Sequence, residues 1–273
     1  MGILYIVATP IGNLEDISAR ALRVLREVTL IAAEDTRQTA KLLGHFNIST
    51  PSTSYFEHNK LSKLETILNQ LEAGDVALVS DGGIPGVSDP GYELIREAIA
   101  RGITVTPIPG PSAVLSALAV SGLPTDSFVY LGFLPRKAGD RTRTLAANAA
   151  DSRTLICFET PHRLLESLAD IQRALGDRRI AVCREMTKLH EEIFRGTVSA
   201  ALAHFGRAEV RGEISLVIEG QTAAAVEVWD EDRTRAALRD LITLGLDRAA
   251  AAKQIAEQSG RARREVYKIA TEI

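Results

Sequence analysis

Cysteine is scarce in this chain of 273 residues, which contains only two. Cys157 and Cys183 each lie in an apolar run that is typical of a strand. Free cysteine is among the most buried residue types, and disulfides are rare in reducing compartments, so we expect two buried thiols in the core. A disulfide or a metal pair is the alternative that two cysteines leave open.

Long apolar runs and an excess of one charge are also missing. No segment reaches the roughly 18 to 20 apolar residues that span a bilayer, and the first residues lack the basic start of a signal peptide. The sequence therefore predicts a cytoplasmic protein with no membrane partner. Lys and Arg number 32 and Asp and Glu 35, which gives a net charge of -3, so any surface that binds nucleic acid must be local.

The length and the hydrophobic content of 45% suit two domains and a small appendage. Strand-like apolar runs alternate with helical patterns along most of the chain, and residues 123–126 have the composition of a linker. From Trp229 onward, alanine, arginine and glutamate recur at helical spacing without a strand signal. The sequence therefore predicts an α/β fold of two consecutive α/β domains, residues 1–122 and 126–221, with a cleft between them, and a C-terminal helical domain, residues 229–273.

The stretch at residues 80–91 is the strongest single sign of a ligand site. It contains four glycines and two prolines in twelve residues, so its backbone must turn sharply and lie bare. The preceding run, residues 76–79, is suited to a buried parallel strand, and a glycine-rich loop after such a strand is where open α/β sheets bind ligands. A tight strand-to-helix turn without a ligand is the alternative.

Polar loops follow several other predicted strands. These loops are residues 9–14, 34–37, 109–113, 159–163 and 184–192. They also have purely structural explanations, because Asp35 or Thr36 can cap a helix and residues 109–113 can begin a core helix. His162 can be an ordinary polar residue of a first helical turn, and the charged loop 184–192 can be a solvated network of salt bridges.

The C-terminal helices carry a further pattern. Ala256, Gly260 and Val266 match the small, turn and core positions of a helix-turn-helix. The cations beside them are Arg261, Arg263, Arg264 and Lys268. A helical hairpin that packs on the body or on a second subunit is the alternative.

The motifs gain specificity from their order and spacing along the chain. They are residues 4–14, 33–37, 58–59, 80–91, 109–113, 132–135, 161–163, 184–188 and 212–213. Together they resemble the ribosomal RNA small subunit methyltransferase I family of the tetrapyrrole methylase superfamily, over essentially the whole chain. Gly82 and Ile84 stand where the family usually has alanine and threonine, and Phe158 and Thr160 where tyrosine and serine are common. Ile84 removes a hydroxyl from the cofactor loop but leaves its backbone groups free to bind.

The resemblance implies two α/β domains of the tetrapyrrole methylase type that clasp S-adenosylmethionine in their cleft. It also implies methyl transfer to the ribose 2′-hydroxyl of a cytidine in the decoding region of 16S rRNA, with free rRNA or the assembled small ribosomal subunit as the partner. Members of the family are homodimers. The cofactor-binding positions that match by motif are Pro10, Asp81, Ile84, Ser112, Ala113, Phe158, Met186 and Ser215.

The acceptor of such a transfer needs more help than the donor. A ribose hydroxyl is a poor nucleophile at neutral pH, so a group that takes its proton would assist. The candidates at strand ends of the second domain are Glu159, His162 and Glu185, and the sequence does not choose among them. The cations that we predict to bind RNA are Arg37, Arg136, Lys137, Arg163, Lys188, Arg263 and Arg264.

Two other functions fit parts of the sequence. A tetrapyrrole C-methyltransferase would have the same fold, but it would need neither the basic C-terminal helices nor the arginine-bearing loop after Pro135. A non-enzymatic nucleic-acid-binding protein built on the helix-turn-helix would leave the two α/β domains without a task.

Overall fold

The structure, a computed structural model, describes residues 2–56, 60–222 and 229–273. The predicted motif His58-Asn59 lies outside the described residues. The chain divides into two compact units, Met1–Gly220 and Gln221–Ile273. Among the helices described, none has both the length and the apolar character needed to cross a bilayer.

The first sheet of the larger unit has five strands, all parallel. The strands are β1 (Ile3–Val7), β2 (Leu30–Ala33), β3 (Ser52–Ser54), β4 (Val76–Val79) and β5 (Thr104–Ile108). Their order is β3-β2-β4-β1-β5, so the predicted buried parallel strand is confirmed as the central one, with every residue buried. The helices of this part are α1 (Ala19–Glu27), α2 (Thr36–His45), α3 (Lys60–Ala73), α4 (Tyr92–Ala100) and α5 (Ala113–Ser121).

The second sheet is mixed rather than parallel. Its strands are β6 (Phe128–Phe133), β7 (Thr154–Glu159), β8 (Arg179–Arg184), β9 (Glu192–Thr197) and β10 (Ile214–Ile218), in the order β6-β7-β10-β8-β9. Only β6 and β7 pair in parallel, while β10 is antiparallel to both of its neighbours and β9 is antiparallel to β8. The helices here are α6 (Ala138–Ala147), α7 (Leu164–Leu175) and α8 (Val198–Phe205).

The antiparallel placement of β10 brings its beginning to the edge where β7 and β8 end. Ile214, the first residue of β10, stands opposite Glu159 on one side and Arg184 on the other. Ser215 accordingly lies beside Phe158 and Cys183. Polar loops from three strands therefore meet at one edge of the second sheet, although one of these strands runs the opposite way.

Helix α5 joins the two sheets into one unit. It follows β5 of the first sheet, yet its buried residues Ala117 and Leu118 pack against Ile156, Ala181 and Val217 of the second sheet. The linker predicted at residues 123–126 thus comes after a helix that already covers the second sheet. This packing accounts for one compact unit that contains both sheets.

The two cysteines are free and buried, as predicted, in β7 and β8. The two strands are not neighbours, since β10 lies between them. Burial raises the pKa of the Cys183 thiol to about 11, so this group stays protonated and acts as a small apolar residue of the core.

The C-terminal unit consists of α9 (Glu231–Thr243), α10 (Arg248–Ser259) and α11 (Arg263–Thr271). Leu238, Ile255 and Val266, one from each helix, belong to its own small core. Gly260 ends α10 in the left-handed conformation, with φ of 64°, which a glycine adopts without strain. This tight turn between α10 and α11 matches the helix-turn-helix pattern predicted from Ala256, Gly260 and Val266.

Candidate active site

The glycine-rich loop at residues 80–91 is fixed to the end of β1 by backbone hydrogen bonds. The backbone N–H groups of Thr9 and Gly83 each donate to the other residue's carbonyl at 2.9 Å, and the hydroxyl of Thr9 donates to the carbonyl of Ser80 at 3.0 Å. Gly83 and Gly86 have φ values of 91° and 81°, a region that favours glycine. The loop is therefore a rigid, bare stretch of backbone that a ligand can approach closely.

This loop forms one wall of a cavity of about 630 Å³ to which both sheets contribute. A cavity of this size and position is typical of a cofactor or substrate site. Its lining includes all eight residues predicted to bind the cofactor: Pro10, Asp81, Ile84, Ser112, Ala113, Phe158, Met186 and Ser215. Residues that are distant in sequence are thus brought together around one space.

The beginning of α5 faces this cavity through Ser112 and Ala113. Ser112 is the N-cap residue, and its hydroxyl oxygen accepts a hydrogen bond from the backbone N–H of Leu115 at 3.5 Å. The helix therefore begins at Ala113, two residues after Pro111. Its first backbone N–H groups carry partial positive charge toward the cavity.

Carboxylates make the wall formed by the first sheet acidic. Glu34, Asp81 and Asp89 line the cavity, and Glu213 joins them from the second sheet. Glu34 accepts a hydrogen bond from the backbone N–H of Asp81 at 3.3 Å, and Asp81 accepts one from the backbone N–H of Asp35 at 3.1 Å. An acidic wall of this kind suits a cationic ligand.

Burial changes the acidity of these groups. It raises the pKa values of Glu34 and Asp81 above the ordinary range, and the carboxylates near each of them add to the effect. Burial also raises the pKa of Asp89 to about 7, with further contributions from Glu34, Asp81 and Glu213. Asp89 therefore changes its charge near neutral pH, which no pattern in the sequence indicated.

Apolar and aromatic side chains line other parts of the cavity. The rings of Tyr130 and Phe133 each make an edge-to-face contact with Phe158, with centroids 5.3 and 5.4 Å apart. The hydroxyl of Tyr130 is 2.7 Å from that of Ser88 in the glycine-rich loop, so this aromatic group connects the two walls. It offers a flat apolar surface on which a ring can pack.

Glu159, the first candidate base, lines the cavity but is fully buried and strongly bonded. Its Oε1 accepts a hydrogen bond from the backbone N–H of Thr160 and forms an ion pair with Arg163, both at 2.6 Å. Its Oε2 accepts a hydrogen bond from the hydroxyl of Ser167. Arg163 also donates to the carbonyl of Leu134 at 3.2 Å and is only 12% exposed. The guanidinium of Arg163 is therefore engaged inside the protein instead of being presented to solvent.

Glu185, the second candidate, lies just behind the lining and holds Lys188. Its Oε1 accepts hydrogen bonds from Lys188 Nζ at 2.8 Å and from the backbone N–H of Glu213 at 3.0 Å, and the bond from Lys188 lowers the pKa of Glu185. Lys188 lines the cavity and also pairs with Glu213 at 2.9 Å. The backbone N–H of Asn13 donates to the hydroxyl of Thr187 at 3.1 Å, so this loop is fastened to the first sheet.

His162, the third candidate, is exposed and outside the cavity lining, with Nε2 3.4 Å from the hydroxyl of Thr160. Arg37 is also outside the lining. Its side chain is 88% exposed and pairs with Asp35, the N-cap of α2, at 2.7 Å, and this pairing holds the pKa of Asp35 at about 2.

The remaining predicted RNA-binding cations are not among the residues that line the cavity. Arg136 and Lys137 are exposed just before α6. Arg263 and Arg264 are exposed at the beginning of α11, in the other unit. Sequence reasoning missed Glu34, Asp89 and Glu213 as lining residues, although all three fall within motifs that it had singled out.

Known proteins resemble this chain in sequence and in fold. The family model of tetrapyrrole (corrin/porphyrin) methylases matches residues 3–202. A ribosomal RNA small subunit methyltransferase I from Synechocystis sp. is 48% identical over 275 residues, which cover 100% of this chain and 99% of the relative. One from Halalkalibacterium halodurans is 47% identical over 272 residues, which cover 98% of this chain and 94% of the relative.

A solved structure is similar in fold. Uroporphyrin-III C-methyl transferase from Thermus thermophilus, complexed with S-adenyl homocysteine, superposes with a TM-score of 0.56 at 19% identity, over 80% of this chain and 97% of that one. The sequence match over the full length is the more specific finding. The chain therefore belongs to the tetrapyrrole methylases and, among them, to the ribosomal RNA small subunit methyltransferase I family.

Proposed function

We propose that this protein transfers a methyl group from S-adenosylmethionine to the ribose 2′-hydroxyl of a cytidine in the decoding region of 16S rRNA. The observation that carries the proposal is the convergence of the eight motif-matched residues on one cavity of about 630 Å³. The relatives named ribosomal RNA small subunit methyltransferase I align with the C-terminal helices as well. That full-length match supports an RNA substrate over a tetrapyrrole.

The residues present fit this cofactor. When bound, S-adenosylmethionine supplies an electrophilic methyl group on a positively charged sulfur. The acidic wall of Glu34, Asp81 and Asp89 offsets positive charge, while Ser112 and Ala113 offer the N-terminus of a helix to an anionic group. The aromatic surface around Phe158 suits a base or sugar ring.

The main task of the protein in this reaction is to hold the acceptor oxygen in line with the methyl carbon. Proximity and orientation supply much of the rate of such a transfer. Lys188 lines the cavity and is held by Glu185 and Glu213, so we assign to it a contact with an RNA phosphate. Arg163 is engaged with Glu159, so we assign to it the positioning of the loop 159–163.

Proton removal from the acceptor is assigned to one of Glu159, His162 and Glu185. We expect the Gln variant at the responsible position to lose methyl transfer by roughly 10²- to 10⁴-fold, the usual contribution of a general base. Binding of S-adenosylmethionine, measured by calorimetry, should survive in the same variant. Unchanged turnover in Glu159→Gln, His162→Gln and Glu185→Gln alike would remove this part of the proposal.

The reaction itself can be tested with purified protein, labelled S-adenosylmethionine and small ribosomal subunits from a strain that lacks the enzyme. We expect label on a single ribose of the decoding region, located by mapping of 2′-O-methylation. A parallel assay on protein-free 16S rRNA decides between the two candidate substrates. Label on a base, or none on RNA, would contradict the proposal.

We further propose that the protein works in the cytoplasm, and that it forms the homodimer that the resemblance implies. A chain of 29.5 kDa should then elute with twice that mass in light-scattering chromatography. A stable monomer at assay concentration, with full activity, would exclude a role for the dimer.

A further inference from the structure

A second cavity, of about 570 Å³, lies outside the site described above. It is lined mainly by residues of β8, β9, α8 and the segment after α8. The basic residues that line it are Arg184, His190, His204, Arg207 and Arg211. None of them was among the residues predicted to bind RNA, and the proposed methyl transfer has so far given them no task.

The second cavity is adjacent to the cofactor cavity. Arg211 lines the one and Gly212 lines the other, and consecutive Cα atoms are about 3.8 Å apart. Lys188 and His190 likewise line different cavities, so the loop at residues 185–191 forms a wall between them. Leu189, between these two residues, is 93% exposed.

The wall is rigid. Glu185 and Thr187 have positive φ values of 51° and 68°, which only the surrounding structure can hold in place. The backbone N–H of Thr187 donates to the Glu191 carboxylate at 2.7 Å, and that of Glu191 donates to the carbonyl of Lys188 at 3.1 Å. A ligand that crosses this loop therefore meets a fixed surface.

The lining of the second cavity contains three arginines against two glutamates. Its carboxylates are already paired: Glu192 with Arg184 at 2.9 Å and His204 at 2.7 Å, and Glu209 with Arg211 at 2.7 Å. Burial alone raises the pKa of Glu192, but the hydrogen bonds from His204 and Arg184 outweigh it and hold that pKa below the ordinary range. Within the part of the chain that the structure describes, Arg207 is exposed and has no ion-pair partner.

An aromatic surface completes the cavity. The ring of His204 lies against Phe194, with centroids 5.1 Å apart and planes 31° from parallel, and it meets the edge of Phe205. The side chain of His204 is 44% exposed, so part of the ring stays open to a ligand. Cations that bind phosphate beside a ring that stacks on a base are the usual elements of a single-strand RNA site.

We propose that the second cavity binds a nucleotide of the RNA substrate that flanks the methylated one. Its phosphate contacts Arg207 and Arg211, and its base packs against His204. This inference rests on the proposed function, because the nucleotides next to a ribose in the cofactor cavity are covalently joined to it and must lie close by. The shared wall at residues 185–191 then separates two neighbouring nucleotides.

The test uses Arg207→Ala, Arg211→Ala and the double variant of the full chain. The matched control is Arg23→Ala, because Arg23 is also exposed and pairs with a glutamate, Glu27, at 2.8 Å on α1. We expect the double variant to raise the KM for the RNA substrate roughly tenfold or more, because it loses charge-assisted hydrogen bonds to the phosphate. The salt dependence of RNA binding should become shallower by about one unit for each lost phosphate contact.

Two readouts separate this role from a structural one. The affinity for S-adenosylmethionine and the kcat should stay within about twofold of wild type, and Arg207→Lys should recover most of the lost RNA affinity because it keeps the charge. KM values for RNA in the Arg207 and Arg211 variants that equal the KM of Arg23→Ala would overturn the inference. A loss of cofactor affinity as large as the loss of RNA affinity would also overturn it. If the wild-type protein methylates no RNA, the proposed function itself fails.

Discussion

Glycine at position 212 leaves room for the carboxylate that holds Lys188. Gly212 has a φ of 91°, and a Cβ atom built there would overlap the side chain of Glu185. Glu185 could then no longer lie between Lys188 and the backbone N–H of Glu213. The small size of one residue thus keeps a cation in place at the cavity.

We predict that Gly212→Ala impairs methyl transfer by more than its effect on stability explains. Gly176→Ala is the matched control, because Gly176 has a φ of 87° and no atom within 4 Å of its Cβ position. Both variants should lose roughly 1–3 kcal/mol of unfolding free energy from backbone strain, as measured by urea denaturation. Only Gly212→Ala should also raise the KM for RNA. Equal RNA kinetics in the two variants would contradict the role given to Glu185.

A half-buried carboxyl whose pKa lies near neutrality makes cofactor binding depend on pH. The pKa of Asp89 is raised to about 7, so the group is mostly neutral at pH 6 and mostly charged at pH 8. The groups that face it, Glu34, Asp81 and Glu213, are acidic as well. A cationic ligand in this cavity therefore gains a partner as the pH rises through 7.

We predict that the affinity of wild type for S-adenosylmethionine, divided by that of Asp89→Asn, rises between pH 6 and pH 8. The ratio should go from about 1 to about 5, since a unit charge pair 4 Å apart contributes roughly 1 kcal/mol even in bulk water. The ligand's own amino group titrates equally in both experiments, so the ratio isolates Asp89. Asp126→Asn, at an exposed position, is the control. A ratio that stays constant with pH would contradict the prediction.

The residues of the site differ in how far the sequence could reveal them. Pro10, Asp81 and Met186 belong to motifs whose order and spacing pointed to a cofactor, and all line the cavity. The raised pKa of Asp89 depends on burial and on the carboxylates of Glu34, Asp81 and Glu213, which come from three separate segments of the chain. Contributions from residues that are distant along the chain leave no local pattern in the sequence. The basic residues that line the second cavity are likewise brought together only by folding.

At the scale of elements, strand β9 was not predicted. It begins at the last of the charged residues 184–192, and none of its residues is fully buried, so the hydrophobic signal of a strand is weak. It forms as the edge of the second sheet by pairing with β8. The direction of β10 was equally hidden, because a buried run of apolar residues looks the same whether it pairs in parallel or antiparallel.

Helices α6 and α7 are joined by a buried ion pair that was not predicted from the sequence. Arg141 is 2% exposed and donates to Asp170 at 2.7 Å. We predict that Asp170→Ala lowers the unfolding free energy by roughly 3–5 kcal/mol, because the buried Arg141 would keep, among the described residues, only the exposed Glu166 at 3.6 Å as an ion-pair partner. Asp140→Ala removes the exposed pair with Arg143 on the same helix and should cost about 0–1 kcal/mol. Thermal or urea denaturation measures both losses. Similar losses of unfolding free energy in Asp170→Ala and Asp140→Ala would show that Arg141 reaches solvent.

Helix α11 carries two of the cations that the sequence predicted to bind RNA, Arg263 and Arg264. We predict that Arg263→Glu with Arg264→Glu lowers RNA affinity at low salt by roughly tenfold or more and makes its salt dependence shallower. Cofactor affinity should not change. The control is Arg239→Glu with Lys253→Glu, an equal change of charge at exposed positions of α9 and α10. If both double variants bind RNA equally, α11 has no special part in binding.

At the scale of the whole molecule, the larger unit places two sheets around one cavity. The parallel sheet contributes the glycine-rich loop and the acidic wall, and the mixed sheet contributes Phe158, Met186 and Ser215. Helix α5 belongs to the first sheet by sequence and to the second by packing. A cofactor in this cavity therefore contacts both sheets at once, and we expect it to raise the melting temperature of the larger unit.

The most direct test of the central claim is a crystal structure of the protein with S-adenosylhomocysteine. We predict that the ligand lies in the cavity of about 630 Å³, between the loop that holds Asp81 and the strand ends that hold Phe158 and Met186. A ligand bound at any other place, or a cavity closed by side chains with no room for it, would contradict the account.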